Sequence, residues 1–341
     1  MKPIWKKSLM IAGIAAVSLL VAFLFREENK RVSKSIFAMD TYMQITAYGK
    51  NSRQAVDAAI KEIKRLDDLL STGNACSEVS VLNQNKKATL SEDVLTLLMR
   101  SVELWHATQG AFDITIYPVM RAWGFAGDSF SVPASDKLAA LLPYVDASVI
   151  QWNDETRQVL LPQETEIDLG GIAKGYTSER VAELMGEYGI KSAILDLGGN
   201  VQTVGSKPDG SLWKVAIKSP DSRLPYLGIL ELSNQAVITS GGYERYFEVD
   251  GKTYHHIIDP KTGWPAQNGI VSVTIVSKDA TLADGLSTGL FVMGIEKAID
   301  FWRTQGQTFE FVIYEDTGRL LVSEGLTDAF LTTLEYEVIQ R

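Results

Sequence analysis

Apolar positions recur along the chain with two different periods. Val56, Ile60, Ile63 and Leu66 lie at helical spacing, predicting a helix from an Asn51/Ser52 cap through Leu70, where Ser71-Thr72-Gly73-Asn74 breaks it. Leu95, Leu98, Val102 and Trp105 predict a second helix, capped by Ser91 and running to about Thr108, with Gly110 as its stop. Elsewhere β-rich runs separated by turns predict strands. Ile36–Tyr48 is one, with Met39-Asp40-Thr41 inside it, and residues 149–167 supply others around turns at Asn153-Asp154 and Pro162. Residues 110–125 read as a loop and a strand, 126–135 as a loop, and Lys137–Leu142 as a short helix. Phe247–His256 is a hairpin on the two-residue turn Asp250-Gly251. Ile270–Val276 is a strand, Asp279 caps a helix, and the tail after Phe301 supplies two to three more strands. Hairpins outnumber strand–helix–strand units, so the expected class is α+β, mixed sheets with flanking helices.

One stretch departs from simple patterning. In Ile167–Ala182, IDLGGIAKGYTSERVA, a short apolar lead meets Gly170-Gly171 and then an amphipathic run. This reads as a strand, a glycine turn and the start of a helix. Such a turn brings backbone close to a ligand, and free N–H groups of a helix start favour anions. Lys174 adds a positive charge and Asp168 a carboxylate. The spacing is neither the dinucleotide G-x-G-x-x-G nor a P-loop, so a purely structural turn is an equal reading. A second Asp-Leu-Gly-Gly stands 28 residues on, at 196, with no wider repeat around it.

Composition narrows the partners. The 341 residues are 45% apolar and carry seven Trp, enough for a sizeable core. The net charge of −9 argues against nucleic acid as a partner and requires a local cation for any anionic ligand. The lone cysteine, Cys76, excludes intrachain disulfides and cysteine-rich zinc sites. Lys2, Lys6 and Lys7 precede an uncharged 17-residue run, Leu9–Phe25, followed by Arg26-Glu27-Glu28. At 1.5 Å per residue that run spans roughly 25 Å, slightly less than a ~30 Å bilayer core. With no small-x-small cleavage site at its end, it reads as an uncleaved signal anchor in preference to a cleaved signal, and places the body outside the cytoplasm. The expected organisation is an anchor over 1–25, a linker over 26–35 and one domain over 36–341.

Three constellations carry candidate chemistry. Asp284 and Thr288 lie four apart on one helix face; by spacing alone a capping or core-rim pair is the favoured reading, and a half-site for a hard cation such as Mg²⁺ is the alternative. His255-His256 followed by Asp259-Pro260 offers a general base or a packed histidine. Met39 by itself reads as core packing. No G-x-S-x-G or H-E-x-x-H motif is present, so hydrolase and zinc-protease readings lack support.

Six blocks, in order, carry a resemblance. They are Ser77-Glu78-Val79-Ser80-x-Leu82-Asn83, GAFDITIYPVMRAWGF (110–125), IDLGGIAKGY (167–176), LDLGGNVQTVGSKPDGSLWKVAIKSP (195–220), TSGGYERYFEVDGKTYHHIIDPKTGWP (239–265) and ADGLSTGLFVMG (283–294). Spread over roughly residues 36–295, they resemble the FAD:protein FMN transferases, the ApbE-like flavin transferases. The resemblance implies FAD as substrate, bound in a ligand cleft between two subdomains, with Mg²⁺ on its pyrophosphate. It implies flavin or adenosine contacts at Met39, Ala111, Phe112, Asp113, Gly170, Lys174, Tyr176 and Ile258, and metal ligands at Asp284, Thr288 and the Ala173 carbonyl. In the family an aromatic residue often stands where this chain has Gly73, so a stacking partner worth ~0.5–1.5 kcal/mol is absent there or supplied elsewhere.

The reaction implied is attack by a Thr or Ser hydroxyl of an acceptor protein on the FMN-side phosphorus of FAD, with release of AMP. Lys174 and the helix start hold the phosphates, and His256 is the expected proton acceptor, with Asp259 next in line. Asp168 is expected to be structural. The acceptors implied are flavoprotein subunits of membrane redox systems, within reach of the anchor. The alternatives are an FAD pyrophosphatase, in which water replaces the hydroxyl, and a non-catalytic extracytoplasmic flavin-binding protein.

Overall fold

The computed structural model describes residues 30–127 and 129–341. In chain order the helices are α1 (Ser52–Leu70), α2 (Glu78–Asn85), α3 (Glu92–Ala107), α4 (Tyr117–Trp123), α5 (Ser135–Leu141), α6 (Ala173–Glu187), α7 (Ala280–Met293) and α8 (Ile295–Thr304). The strands are β1 (Arg31–Ala38), β2 (Thr41–Tyr48), β3 (Lys87–Thr89), β4 (Gln151–Asn153), β5 (Gln158–Leu160), β6 (Ser192–Leu197), β7 (Val201–Val204), β8 (Trp213–Lys218) and β9 (Tyr226–Leu232). They continue with β10 (Ala236–Gly241), β11 (Tyr246–Val249), β12 (Lys252–His255), β13 (Ile270–Ser277), β14 (Phe309–Glu315), β15 (Leu320–Ser323), β16 (Phe330–Leu331) and β17 (Glu337–Ile339).

A nine-stranded sheet forms the centre, in the order β1-β2-β6-β7-β10-β13-β14-β15-β17. Its strands pair antiparallel except at β15–β17. In β13, IVSVTIVS, every side chain but Val271 is buried, as expected of a strand covered on both faces. Helices cover one face: Val56, Ala59 and Ile63 of α1 and Val181 and Met185 of α6 pack on Met43, Ile45, Leu195 and Leu197. The other face is covered in part by the small sheet β16-β9-β8, whose Val215, Ile217 and Leu230 meet Val237, Val276 and Val312. A separate small core joins α4 and α5 to the β11–β12 hairpin through Val119, Trp123, Phe125, Leu138 and Ile258, with Phe247 and Tyr254 packed against it.

The α+β class and the main helices agree with the sequence pattern, and the differences have local causes. Strand β1 begins at Arg31, so part of the expected linker 26–35 is the edge of the sheet. The run Ile36–Tyr48 is not one strand. Met39 and Asp40, with φ of 48° and 57°, form a two-residue turn that folds β1 onto β2. Residues 110–125 hold no strand: after the loop come a 3₁₀ turn at Ile114–Ile116 and α4. Ile167–Leu169 is not a strand either. Asn83 Nδ2 donates to the Ile167 carbonyl and Asn83 Oδ1 accepts from Ile167 N–H, both at 2.8 Å, and Asp168 N–H reaches the Ile114 carbonyl. The tail holds four strands rather than two or three. The anchor expected over 1–25 lies outside the described residues. Among the described residues no helix is long and apolar enough to cross a membrane.

Candidate active site

The site is built where α6 crosses α7. Gly175 makes the approach possible: a Cβ there would overlap the Ala280 carbonyl oxygen and stand 2.6 Å from Asp284 Cβ. The closeness lets Asp284 Oδ2 accept the Gly175 N–H at 2.7 Å. Gly175→Ala is therefore expected to force the helices apart and destabilise the fold by about 2–3 kcal/mol. The check is a melting curve, with a midpoint lower by roughly 5 °C or more.

Asp284 is buried at 5% exposure, and burial pushes its carboxyl above the usual range. The Lys174 ammonium, the Gly175 and Lys174 N–H groups and the Asn200 side chain act in the opposite direction. The Gly175 N–H is thus committed, and those of Ile172 and Ala173 bond the Leu169 carbonyl. The N–H groups of Ile172, Ala173 and Gly175 are therefore not free to face a ligand, the last because Asp284 caps the helix from a neighbouring element. Lys174 is a cation of the site, with Arg245 also acting on Asp168 and His256. It bears electrostatically on Asp168, Asp284 and His256 at once.

The remaining site residues converge from distant segments. Met39, in its turn, places Sδ 3.7 Å from Thr177 Oγ1, whose hydroxyl donates to the Ala173 carbonyl at 2.8 Å. The Met39 backbone acts on the Asp67 carboxylate near the C-terminal end of α1, and Gly73, three residues beyond that helix, is exposed. Phe112 covers Gly171, with its ring 3.1 Å from where a Cβ would stand. Ala111 is buried beside it. Gly170 is exposed and gives its N–H to Asp168 Oδ1 at 2.8 Å, the structural role expected of Asp168. Thr288 Oγ1 lies 3.2 Å from Ser240 Oγ, which also bonds Ser287 at 2.7 Å.

Two expected contacts are committed elsewhere. The Tyr176 hydroxyl donates to Asp93 Oδ1 at 2.6 Å, and Asp93 pairs with Arg65, so the hydroxyl holds α6 to α3 and α1. The Asp113 carboxylate accepts from Thr115 N–H and hydroxyl and from Ala147 N–H, so it organises its loop while the neighbouring Phe112 faces Gly171. Ile258 is buried in the small core and bridges to Pro265.

The two histidines separate by hydrogen bonding. His255 Nε2 bonds the Ala266 carbonyl and its Nδ1 accepts the Ile257 N–H, so both nitrogens are used. His256 Nδ1 lies 3.1 Å from the Arg245 carbonyl, which can only accept, so Nδ1 carries the proton and Nε2 is the basic nitrogen. Burial, with His255, Lys174 and Arg245 nearby, pushes the ring down to about 4. The imidazole is thus neutral in the pH range where a base is needed. Asp259 Oδ1 accepts the Lys261 N–H at 2.9 Å and its backbone closes the turn to Trp264, which assigns it to turn geometry.

Among the described residues no group of three or more His, Cys, Asp and Glu could hold a metal ion. The set that fits Mg²⁺ is different: one buried carboxylate (Asp284), one hydroxyl (Thr288) and one main-chain carbonyl (Ala173), all hard oxygen donors. A buried anion offset by one half-buried lysine and neutral donors suits a cation. Three residues of this environment escaped the sequence reading as individuals. Asn83, Asn200 and Ser240 sit within the matching blocks, but their partners are 84, 84 and 48 residues away.

With this geometry in view, the comparisons with known proteins are decisive: the profile of the ApbE family matches residues 39–313. The chain belongs to the ApbE family. Membership makes it a transferase, the class shared by its curated relatives. It is 32% identical over 330 residues to an FAD:protein FMN transferase of Haemophilus influenzae, covering 91% of this chain and 94% of the relative. One from Klebsiella pneumoniae is 34% identical over 275 residues, covering 79% and 85%. Among solved structures, an ApbE protein of Thermotoga maritima superposes with a TM-score of 0.82 at 32% identity, over 87% of this chain and 98% of its own. A histidine-to-glycine variant of the flavin transferase ApbE of Vibrio cholerae gives 0.76 at 30% identity, over 85% and 95%.

Proposed function

We propose that this ApbE-family protein is an FAD:protein FMN transferase that moves FMN from FAD to a Thr or Ser hydroxyl of an acceptor protein, with Mg²⁺ as the metal. The observation that carries the reading is the placement of Lys174 where it bears electrostatically both on His256, whose Nε2 is the basic nitrogen, and on the buried Asp284. Bound at Asp284, Thr288 and Ala173, Mg²⁺ would neutralise negative charge on the pyrophosphate. Lys174 attracts the phosphates and keeps them against the start of α6. Phe112 and Met39 supply apolar walls for the flavin or adenosine moieties. His256 Nε2 takes the proton as the acceptor oxygen bonds the FMN-side phosphorus. The bond from that phosphorus to the bridging oxygen breaks, and AMP leaves with the oxygen. The arrangement supplies a base, a cation and a fixed anion before any substrate arrives, which is what positioning and electrostatic catalysis require.

The membrane part of the proposal rests on the sequence of 1–25: an anchor would hold the catalytic body outside the cytoplasm, near flavoprotein subunits of membrane redox systems. The test of the activity is incubation of the protein with FAD, Mg²⁺ and a candidate acceptor. Flavin fluorescence retained on the denatured acceptor is the expected result. FMN and AMP formed without an acceptor would identify a pyrophosphatase instead. FAD recovered intact in every condition would overturn the enzymatic reading.

A further inference from the structure

The second Asp-Leu-Gly-Gly, at 196–199, is left unused by the site described so far. It forms the connection between β6 and β7, closed by a bond from Leu197 N–H to the Asn200 carbonyl and one from Gly199 N–H to Asp196 Oδ1 at 2.9 Å. Gly198 and Gly199 have φ of 71° and 91°, and a Cβ on Gly198 would overlap the Thr41 side chain. The turn is therefore pressed against the strand that follows the Met39-Asp40 turn, and the next residue, Asn200, is directed inward. Asn200 is 3% exposed. Its side chain faces the Asp284 carboxylate, yet its Nδ2 meets no acceptor at hydrogen-bonding geometry.

A buried amide donor left without a partner costs about 1–3 kcal/mol. A fold bears that cost most readily where a small movement, or a ligand, completes the bond. The acceptor within reach is the Asp284 side chain, whose Oδ2 is already tied to Gly175 N–H. A second, neutral donor beside the carboxylate restricts its rotation without cancelling its charge. A lysine or arginine there would cancel it.

We propose that Asn200 is a positioning residue for Asp284, and that the second Asp-Leu-Gly-Gly turn exists in the site to deliver it. Both copies of the motif then serve one carboxylate: the first leads into the helix that Asp284 caps, and the second supplies the amide that orients it. The inference rests on the metal assignment under the proposed function.

The test is calorimetric titration of Mg²⁺ into the FAD-saturated protein, with melting curves and FAD affinity measured in EDTA as controls. Asn200→Ala is expected to weaken Mg²⁺ binding by about 10–100-fold, the usual range for groups that orient a metal ligand. Its FAD affinity in EDTA should stay within about twofold of the parent. Asn200→Ser, which keeps a donor on a shorter arm, is expected to recover part of the loss and guards against a folding defect in the alanine variant. Mg²⁺ affinity in both variants equal to that of the parent would overturn the positioning role alone. No Mg²⁺ binding by the parent protein would overturn the metal assignment and this inference with it.

Discussion

Asp284→Ala is expected to lower FMN transfer by about 10³-fold, in line with the loss of a group that stabilises charge in a transition state. Two effects combine in that variant. The buried carboxylate is the only acidic ligand in the proposed metal set, and it also accepts the Gly175 N–H at the start of α6. Asp284→Asn separates the two roles. It keeps the shape and a carbonyl oxygen for Gly175 while removing the charge. If the charge matters, the asparagine variant is as inactive as the alanine variant but melts closer to the parent. Mg²⁺-dependent activity preserved in the asparagine variant would show that the residue acts as a helix cap alone.

His256→Ala is expected to slow transfer by about 10²–10⁴-fold, the usual contribution of a positioned base. Its pH dependence is the more diagnostic measurement. The groups facing the ring are Lys174, Arg245 and His255, and burial is the largest cause of its depressed pKa. In the folded protein the ring stays neutral down to about pH 4, so the rate should not fall between pH 7 and 5 on its account. An exposed histidine would lose its basic form around pH 6.5. Stability follows the same sign. Below about pH 6.5 the unfolded chain binds a proton that the folded chain refuses, so the residue's contribution to stability declines as pH falls towards 4. An acid limb of the rate centred near pH 6.5, absent in the alanine variant, would identify an exposed base and contradict the assignment.

How much was legible in the chain depended on how local each cause was. The Asp250-Gly251 hairpin could be read because a two-residue turn needs positive φ at both positions and this pair accepts it readily, at 51° and 73°. The Met39-Asp40 turn adopts similar angles with residues that carry no such signature, so two strands and their turn read as one strand. Ile167–Leu169 has the apolar rhythm of a strand. Its backbone is instead satisfied by Asn83 and Ile114, partners that periodicity does not reveal. Tyr176 falls in a matching block, but only the packing of α6 on α3 shows that its hydroxyl belongs to Asp93.

The sequence by itself determined the class of fold, the family and the types of group available for chemistry: one helix with a carboxylate and a hydroxyl four residues apart, a lysine after a glycine turn, and a histidine pair ending a hairpin. Those features are local, fixed by spacing along a helix or strand. Only the tertiary structure decided which groups are free to act. It used the Gly175 N–H to bind Asp284, tied His255 on both nitrogens while leaving His256 one basic nitrogen, and turned Asn200 towards a carboxylate 84 residues away. Hydrogen-bond satisfaction and burial are properties of neighbours in space, and a buried polar group takes its role from whichever partner the packing brings to it.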